Sequence, residues 1–267
     1  MQRKIVTMAV KSRNSTVARR NQILQKLDAD GEVFVDELSK AFKVSEVTIR
    51  NDLDQLEHKN LLIRARGGAM KYTGRVGIDY QLSEKDKIHF EEKKRIGELA
   101  ATLIRNSEII LVDSGTTTAE MVKHLDHLED LTVITNALNI AVLLSNKPNI
   151  NLIIPGGFMR KNSQSLVGPM AEKSLKNFTV DKAFIGVDGI ETKHGLYTPN
   201  IEEAHLNELM IEVSNETILL TDSSKFGKKS FAFICGLENI SKVVSDKGLS
   251  SEDKKRLEES GIEVYIA

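Results

Sequence analysis

The sequence IILVDSGTTT, at residues 109–118, predicts the architecture of most of this 267-residue chain. Its first part, residues 109–112, is wholly apolar, as expected of a strand that is buried on both faces of a parallel sheet. Its second part combines a glycine with hydroxyl side chains and leads into apolar positions at Met121, Val122 and Leu125, which indicate a helix. A strand, a polar turn and a helix form the repeating unit of an α/β fold.

The same unit recurs towards the C-terminus. Apolar runs that each end in a polar or glycine-rich turn lie at residues 131–134, 151–154, 183–187 and 217–220, and later strands are predicted at 243–244 and 262–265. We therefore predict a Rossmann-like parallel-sheet domain over residues 76–267. A ligand of such a domain is expected at the carboxyl ends of the strands.

The turn at residues 113–118 has the composition of an anion site. A glycine loop that opens a helix offers free backbone N–H groups and a positive helix end, and hydroxyl groups add donors. The loop has neither the P-loop lysine nor the GxGxxG pattern, which argues against a nucleoside triphosphate and against a dinucleotide. Ordinary capping of the helix by its threonines is the alternative.

Other strand-end turns supply further candidates. Lys225 and Arg160 are candidate phosphate contacts, with exposure to solvent as the alternative. Asp188, Glu202 and Glu203 are candidate acceptors for sugar hydroxyls, although the two glutamates also adjoin a predicted helix start, where carboxylates are favourable. The predicted ligand contacts are Asp113, Ser114, Gly115, Thr116, Thr117, Thr118, Asn136, Gly156, Gly157, Arg160, Asp188, Glu202, Glu203 and Lys225.

The net charge of −1 conceals two parts of opposite sign. Residues 1–75 hold 15 basic and 9 acidic side chains, a net of +6, whereas residues 76–267 hold 22 and 29, a net of −7. Such asymmetry predicts a basic module that meets a polyanion, joined to an acidic module that does not. Chance clustering is the alternative that charge alone leaves open.

The basic part carries the pattern of a winged helix-turn-helix over residues 17–75, preceded by a flexible basic arm at residues 1–16. A three-residue turn at 43–45 leads into a helix with an apolar stripe, and a hairpin wing at 61–69 turns on its Gly-Gly pair. Such a helix enters the major groove of DNA; a helical hairpin for protein contacts is the alternative. The predicted DNA contacts are Arg19, Ser45, Glu46, Val47, Thr48, Arg50, Asn51, Arg64 and Arg66.

Both parts carry motifs of a known family. The run VSEVTIRNDL at residues 44–53, followed by RGGA at 66–69, resembles the winged helix-turn-helix of the DeoR family of bacterial repressors. The segments DSGTT, TNALN, PGG, GVDGI and DSSKF resemble the sensor domain of the same family. The pattern departs at Asn51, where the family often has a second basic residue, so one contact with DNA is expected to differ.

The resemblance implies a fold and a function. The family's sensor domain is similar in fold to ribose-5-phosphate isomerase and glucosamine-6-phosphate deaminase, and its implied effector is a phosphosugar that releases the repressor from double-stranded operator DNA. The segments GLYTPNIEEAHLN at 195–207 and TDSSKF at 221–226 resemble repressors of N-acetylgalactosamine and amino-sugar utilisation. The implied effector is therefore an amino-sugar phosphate. A homo-oligomer, dimer or tetramer, is expected.

The alternative is a sugar-phosphate isomerase or deaminase with an added DNA-binding module, in which Asp188 would act as the base. We favour a regulator without catalytic residues, because the helix-turn-helix indicates regulation and the deaminase's catalytic histidine loop is not visible. One cysteine and histidines without ligand spacing predict no metal or other cofactor. The apolar runs are too short for a membrane span, and the N-terminus lacks a signal-peptide block, so a cytoplasmic protein is expected.

Overall fold

The computed structural model describes residues 16–57, 62–65, 67–71 and 79–267. The chain divides into two compact units, with the boundary between Arg75 and Val76. The predicted basic arm lies outside the described residues, apart from Thr16, where the first described helix begins.

The described residues of the N-terminal unit form three helices and a three-stranded antiparallel sheet. In chain order the elements are α1 (Thr16–Asp30), β1 (Glu32–Phe34), α2 (Val35–Phe42), α3 (Glu46–Glu57), β2 (Leu62–Ala65) and β3 (Gly68–Lys71). The strand order is β1–β3–β2. Ile49, Leu53 and Leu56, the predicted stripe of α3, are buried in the core of this unit.

Two glycines shape the wing for different physical reasons. Gly67 has a φ of 84°, the left-handed conformation that the turn from β2 to β3 requires. Gly68 lies in β3 opposite β1, where a Cβ atom would stand 2.1 Å from the carbonyl oxygen of Val33. The prediction that the glycine pair together forms the turn is therefore corrected, because Gly68 is needed for the close approach of two strands.

The C-terminal unit is built on a seven-stranded parallel sheet with helices packed against it. The strands of the whole unit, which include those of two smaller sheets, are β4 (Ile109–Val112), β5 (Leu131–Thr135), β6 (Ile150–Ile153), β7 (Phe158–Arg160), β8 (Ser165–Val167), β9 (Val180–Gly186), β10 (Gly189–Glu191), β11 (Gly195–Thr198), β12 (Ser214–Leu220), β13 (Ala232–Phe233), β14 (Lys242–Ser245) and β15 (Glu263–Ile266). Its helices are α4 (Leu82–Lys85), α5 (Phe90–Ala101), α6 (Thr116–Val122), α7 (Leu138–Leu144), α8 (Pro169–Leu175), α9 (Ile201–Glu212) and α10 (Ser251–Glu259).

The large sheet has the order β15–β14–β12–β9–β4–β5–β6, which confirms the predicted Rossmann-like fold. Ile110 and Val112 of β4 belong to one hydrophobic cluster and Leu111 belongs to another, as expected of a strand covered on both faces. From β4 the chain proceeds outward to β5 and β6, and from β9 it proceeds the other way. The gap between the ends of β4 and β9 is therefore the topological switch point, where ligands bind in sheets of this kind.

Two small antiparallel sheets, which the sequence pattern did not predict, stand beside the large one. In the β7–β8 hairpin, Arg160 lies opposite Ser165, and both side chains contact Glu203, whose charge acts on Asp113 at the end of β4. The second small sheet has the order β10–β11–β13. None of the described helices is both long and apolar enough to cross a membrane.

Candidate functional sites

A buried carboxyl group lies at the switch point. Asp113 follows β4, and its Oδ2 atom accepts hydrogen bonds from the backbone N–H of Gly186 at 3.3 Å and from Nδ2 of Asn207 at 3.3 Å. Burial, together with the negative charge of Glu203, raises the pKa of Asp113 to about 8. At neutral pH this group is therefore mostly protonated, and it can donate a hydrogen bond as well as accept one.

Arg160 lies between two carboxylates, those of Asp79 and Glu203. Its Nη1 atom lies 2.5 Å from Oε1 of Glu203, and its Nη2 atom is ion-paired with Oδ2 of Asp79. Glu203 is held from a second side by the hydroxyl of Ser165, which donates to Oε1 at 2.8 Å. The Ser163 hydroxyl lies 3.2 Å from Nη1 of Arg160. Both terminal nitrogens of the guanidinium group are thus engaged by groups of the protein itself.

Three lysines form the other side of the same crevice. Lys85 Nζ lies 2.8 Å from a carboxylate oxygen of Asp188, and Lys225 Nζ lies 3.8 Å from it. Burial raises the pKa of Asp188, but Lys85 and Lys225 outweigh it and keep that pKa below its ordinary value. Lys93 donates a hydrogen bond to the backbone carbonyl of Lys85. Burial, reinforced by Lys225, lowers the pKa of Lys93 to about 8.

One side of the crevice is positive, because it holds Lys85, Lys93 and Lys225, and a phosphate could replace the carboxylates paired there. The other side holds the carboxyl and amide oxygens of Asp113, Glu203 and Asn207, which suit hydroxyl or amino groups. Among the described residues, no group of three or more His, Cys, Asp or Glu side chains is placed to hold a metal ion.

The structure brings together five of the predicted ligand contacts, namely Asp113, Arg160, Asp188, Glu203 and Lys225.

Other predicted contacts have a structural explanation. The hydroxyl of Thr118 is buried and donates to the backbone carbonyl of Asp113 at 2.8 Å, so it closes the turn rather than facing a ligand. Gly156 and Gly157 adopt φ values of 81° and 124°, which explains the need for glycine there. The Glu202 side chain is exposed at the start of α9, away from its buried neighbour Glu203.

The remaining predicted contacts line the first two strand ends. Ser114 and Gly115 are half-buried, and Thr116 and Thr117 are buried in the first turn of α6. Asn136 follows β5 and is buried, and its Oδ1 atom has no hydrogen-bond donor among the described residues. Their roles as ligand contacts stay predictions.

Asp79, Lys85, Lys93 and Asn207 are functional candidates that sequence reasoning missed. A signal existed for Lys93, because it shares the buried face of α5 with Ile96, Gly97 and Ala100, and an isolated lysine on such a face is unusual. Asn207 lies one helical turn after Glu203 on α9, a spacing that places two side chains on one face.

Helix α3 presents a polar surface at its N-terminal end. Ser45 caps the helix, because its Oγ atom accepts the backbone N–H of Thr48 at 3.1 Å. Glu46, Val47, Arg50 and Asn51 are exposed, and Val47 has 62% of its surface free. Arg50 Nη2 lies 2.7 Å from Oε2 of Glu46, one turn earlier. This surface has donors and acceptors for base edges and an apolar group for a thymine methyl.

The three other arginines predicted to contact DNA are placed differently. Arg19 is only 6% exposed and is ion-paired with the buried Asp52, which favours a structural role over the predicted DNA contact. Arg64 pairs with Asp54 at 2.9 Å and donates to the carbonyl of Gly68 at 2.8 Å, so it braces the wing against α3. Arg66 lies outside the described residues.

Two family models match the chain. A DeoR-like helix-turn-helix domain matches residues 19–73, and a DeoR C terminal sensor domain matches residues 88–247. Together they include α3 with its exposed polar surface, and most of the crevice at the switch point.

Curated relatives are similar over almost the whole length. A protein of Escherichia coli O157:H7 named "Putative aga operon transcriptional repressor" is 36% identical over 94% of each chain. The HTH-type transcriptional repressor GlcR of Bacillus subtilis (strain 168) is 34% identical over 91% of this chain and 93% of that one. Among solved structures, ribose 5-phosphate isomerase A from Methanocaldococcus jannaschii is 20% identical over 52% of this chain and 55% of that one, with a TM-score of 0.39.

Proposed function

Since the chain belongs to the DeoR family of transcriptional regulators, we propose that it represses a carbohydrate-utilisation operon and leaves its operator DNA when a phosphorylated sugar binds in its C-terminal unit. The observation that carries this proposal is the crevice at the switch point, where Lys85, Lys93, Lys225 and Arg160 converge. Cationic side chains at this position are suited to a phosphate.

The sugar part of the effector has its own support. Asp113, Asn207 and Glu203 lie beside Arg160 and are all buried, so they would be desolvated contacts for a ligand. Buried polar groups of this kind discriminate strongly, because a ligand that lacks the matching group leaves them unpaired.

We further propose that the effector is an amino-sugar phosphate. The Oδ1 atoms of Asn136 and Asn207 are buried without a hydrogen-bond donor among the described residues, and Glu203 adds a carboxylate nearby. An amino or acetamido group supplies the donor that these acceptors lack. The resemblance of residues 195–207 to amino-sugar repressors points to the same class.

At the other end of the chain, α3 is proposed to read the operator, with Arg50 and Asn51 at base edges and the Ser45 and Thr48 hydroxyls at phosphates. A homo-oligomer, dimer or tetramer, is proposed, because regulators of this class place two recognition helices on half-sites about one helical turn apart.

The test is operator binding in the presence of matched sugars. Fluorescence anisotropy of a labelled operator, selected from a random DNA pool, is measured with glucosamine 6-phosphate, glucose 6-phosphate and unphosphorylated glucosamine, and with the corresponding galactose series. We expect that only an amino-sugar phosphate releases the operator, and that the other sugars do not. Release by a phosphosugar without the amino group would remove the amino-sugar part of the proposal, and indifference to every phosphosugar would remove the effector itself.

A further inference from the structure

Residues 79–93, which we call the strap, are attached across the crevice by two ion pairs. Asp79, near the start of the strap, pairs with Arg160, and Lys85, at its centre, pairs with Asp188. A backbone hydrogen bond of 2.6 Å from Leu82 to the carbonyl of Asn162 adds a third attachment. The strap therefore supplies both a negative and a positive group to the site that the proposed function assigns to a phosphosugar.

We propose that the Asp79 carboxylate occupies the place on Arg160 that the phosphate of the effector takes, and that effector binding displaces Asp79 and loosens the strap. The proposal rests on the proposed function in one respect only, that the ligand is an anion. It makes Asp79 an internal competitor for the anion subsite.

The charges around Arg160 indicate why one of its two carboxylate partners must leave when a phosphate binds. One guanidinium group faces two carboxylates, those of Asp79 and Glu203, so the group of three carries a net negative charge. A phosphate that approached Arg160 without displacing a carboxylate would meet the negative charge of Asp79 at close range, and Lys85, which also acts on Asp79 and Glu203, is already paired with Asp188. Exchange of one anion for another avoids that cost and preserves the charge-assisted hydrogen bonds of the arginine.

The surroundings of the two carboxylates decide which one leaves. Glu203 is 7% exposed, lies within the twelve-residue helix α9 and also accepts the Ser165 hydroxyl. Asp79 is 23% exposed and lies on the strap outside any helix or strand, where Asn162 Nδ2 donates to its Oδ2 atom at 3.1 Å. Asp79 is more accessible to water than Glu203 and is not held in a helix or strand, so it is the partner of Arg160 that a ligand can replace.

Displacement of Asp79 would act on the segment of chain that follows the DNA-binding unit. Asp79 lies four residues along the chain from the unit boundary at Arg75, so the strap is where the C-terminal unit receives the chain from the DNA-binding unit. A ligand shifts a conformational equilibrium only by the difference between its affinities for the two states. Replacement of Asp79 supplies such a difference, because the phosphate and the anchored strap compete for one guanidinium group.

The test uses inorganic phosphate as the probe and the full chain throughout. Asp79→Asn is compared with Asp86→Asn, which removes the same charge from an exposed position of the same strap. Isothermal titration calorimetry is expected to show phosphate binding at least about tenfold tighter in Asp79→Asn than in the wild type, and at most about twofold tighter in Asp86→Asn. Equal affinities for the wild type and Asp79→Asn, equal effects of the two substitutions, or no phosphate binding by Asp79→Asn would each overturn the proposal.

Hydrogen exchange of residues 79–93 gives a second, independent readout. Saturating phosphate is expected to speed exchange of the strap in the wild type, and Asp79→Ala, which removes both the charge and the hydrogen bond, is expected to do so without phosphate. Unchanged or slower exchange in either case would show that the strap is not released. These outcomes are separate from operator release by sugar phosphates, so failure of the proposed effector class and failure of the Asp79 competition can be told apart.

Discussion

The Nε atom of Arg19 lies 2.5 Å from Oδ2 of Asp52, and this pair joins the first helix to the recognition helix across 33 residues of chain. Both side chains are buried, and Arg20 contacts the other oxygen of the same carboxylate at 2.8 Å. The carboxylate of Asp52 is therefore the point at which α1 is tied to α3.

We expect Asp52→Ala to destabilise the N-terminal unit by about 3–5 kcal/mol, because it leaves Arg19 buried without its partner. Urea denaturation combined with hydrogen exchange of the α1 and α3 amides measures this unit separately. Asp36→Ala is the control, since Asp36 pairs with Lys40 on the surface, and such a pair contributes at most about 0.5 kcal/mol. A loss no larger than that of the control would contradict a structural role for Asp52.

At Arg50, substitution is expected to affect operator binding and not effector binding. Arg50→Ala should cost about 1–3 kcal/mol of operator affinity, the usual contribution of a bidentate contact with guanine. Arg50→Lys keeps the charge and loses the planar fork, so it should relax sequence preference at one base pair while the salt dependence stays unchanged. Anisotropy measured with operator variants at several salt concentrations tests both. Unaltered preference in Arg50→Lys would mean that Arg50 contacts only phosphates.

Lys225→Ala is expected to impair induction and leave operator affinity intact. Loss of a charge-assisted contact with phosphate should weaken effector binding by about 1.5–3 kcal/mol, or roughly ten- to a hundredfold. The measurement is the concentration of sugar phosphate that releases half of the bound operator. Lys247→Ala, at an exposed position of the same unit, should behave like the wild type. Normal induction in Lys225→Ala would count against a phosphate contact.

The stability of the C-terminal unit should depend on the protonation of Asp113. The pKa of this carboxyl is about 8 in the folded chain against an ordinary value of 3.8, so between these values the folded state binds a proton that the unfolded state has released. The free energy of unfolding should therefore fall as pH rises through this window, by up to about 1.4 kcal/mol per pH unit from this group. Below pH 4 the contribution of Asp113 no longer changes with pH.

Denaturation of the wild type and of Asp113→Asn at pH 5, 6 and 7 isolates this contribution, because the substitution removes only one titrating group. As pH rises from 5 to 7, the free energy of unfolding of the wild type should fall steadily relative to that of Asp113→Asn. A constant difference would show that Asp113 is ionised in the folded chain throughout this range.

The sequence allowed the sheet and the recognition helix to be predicted, because both follow from local patterns. The apolar run before Asp113 and the spacing of Ile49, Leu53 and Leu56 each depend on a few neighbouring residues. The partners of Arg160 could not be predicted in this way. Asp79 reaches Arg160 across 81 residues, and no periodicity in the strap indicates that contact.

Tertiary packing also decides which of the predicted contact residues remain available to a ligand. Thr118 and Arg19 have residue types that suit anions, yet one closes a turn and the other forms an internal ion pair. A polar side chain's preference for a partner is visible in the sequence, whereas the choice between an internal partner and a ligand depends on tertiary packing.

In the proposed function, the pairing of the crevice's cations with internal carboxylates would set the effector concentration at which the regulator responds. Arg160, Lys85 and Lys225 each lie beside a carboxylate of the protein itself, so an ion that offers charge alone gains little by entering. Abundant small anions should therefore bind only weakly to the wild type. In the proposed function, a metabolite that combines an anionic group with matching sugar contacts would recover the cost of separating these pairs, so the operon would respond to that metabolite above a defined concentration.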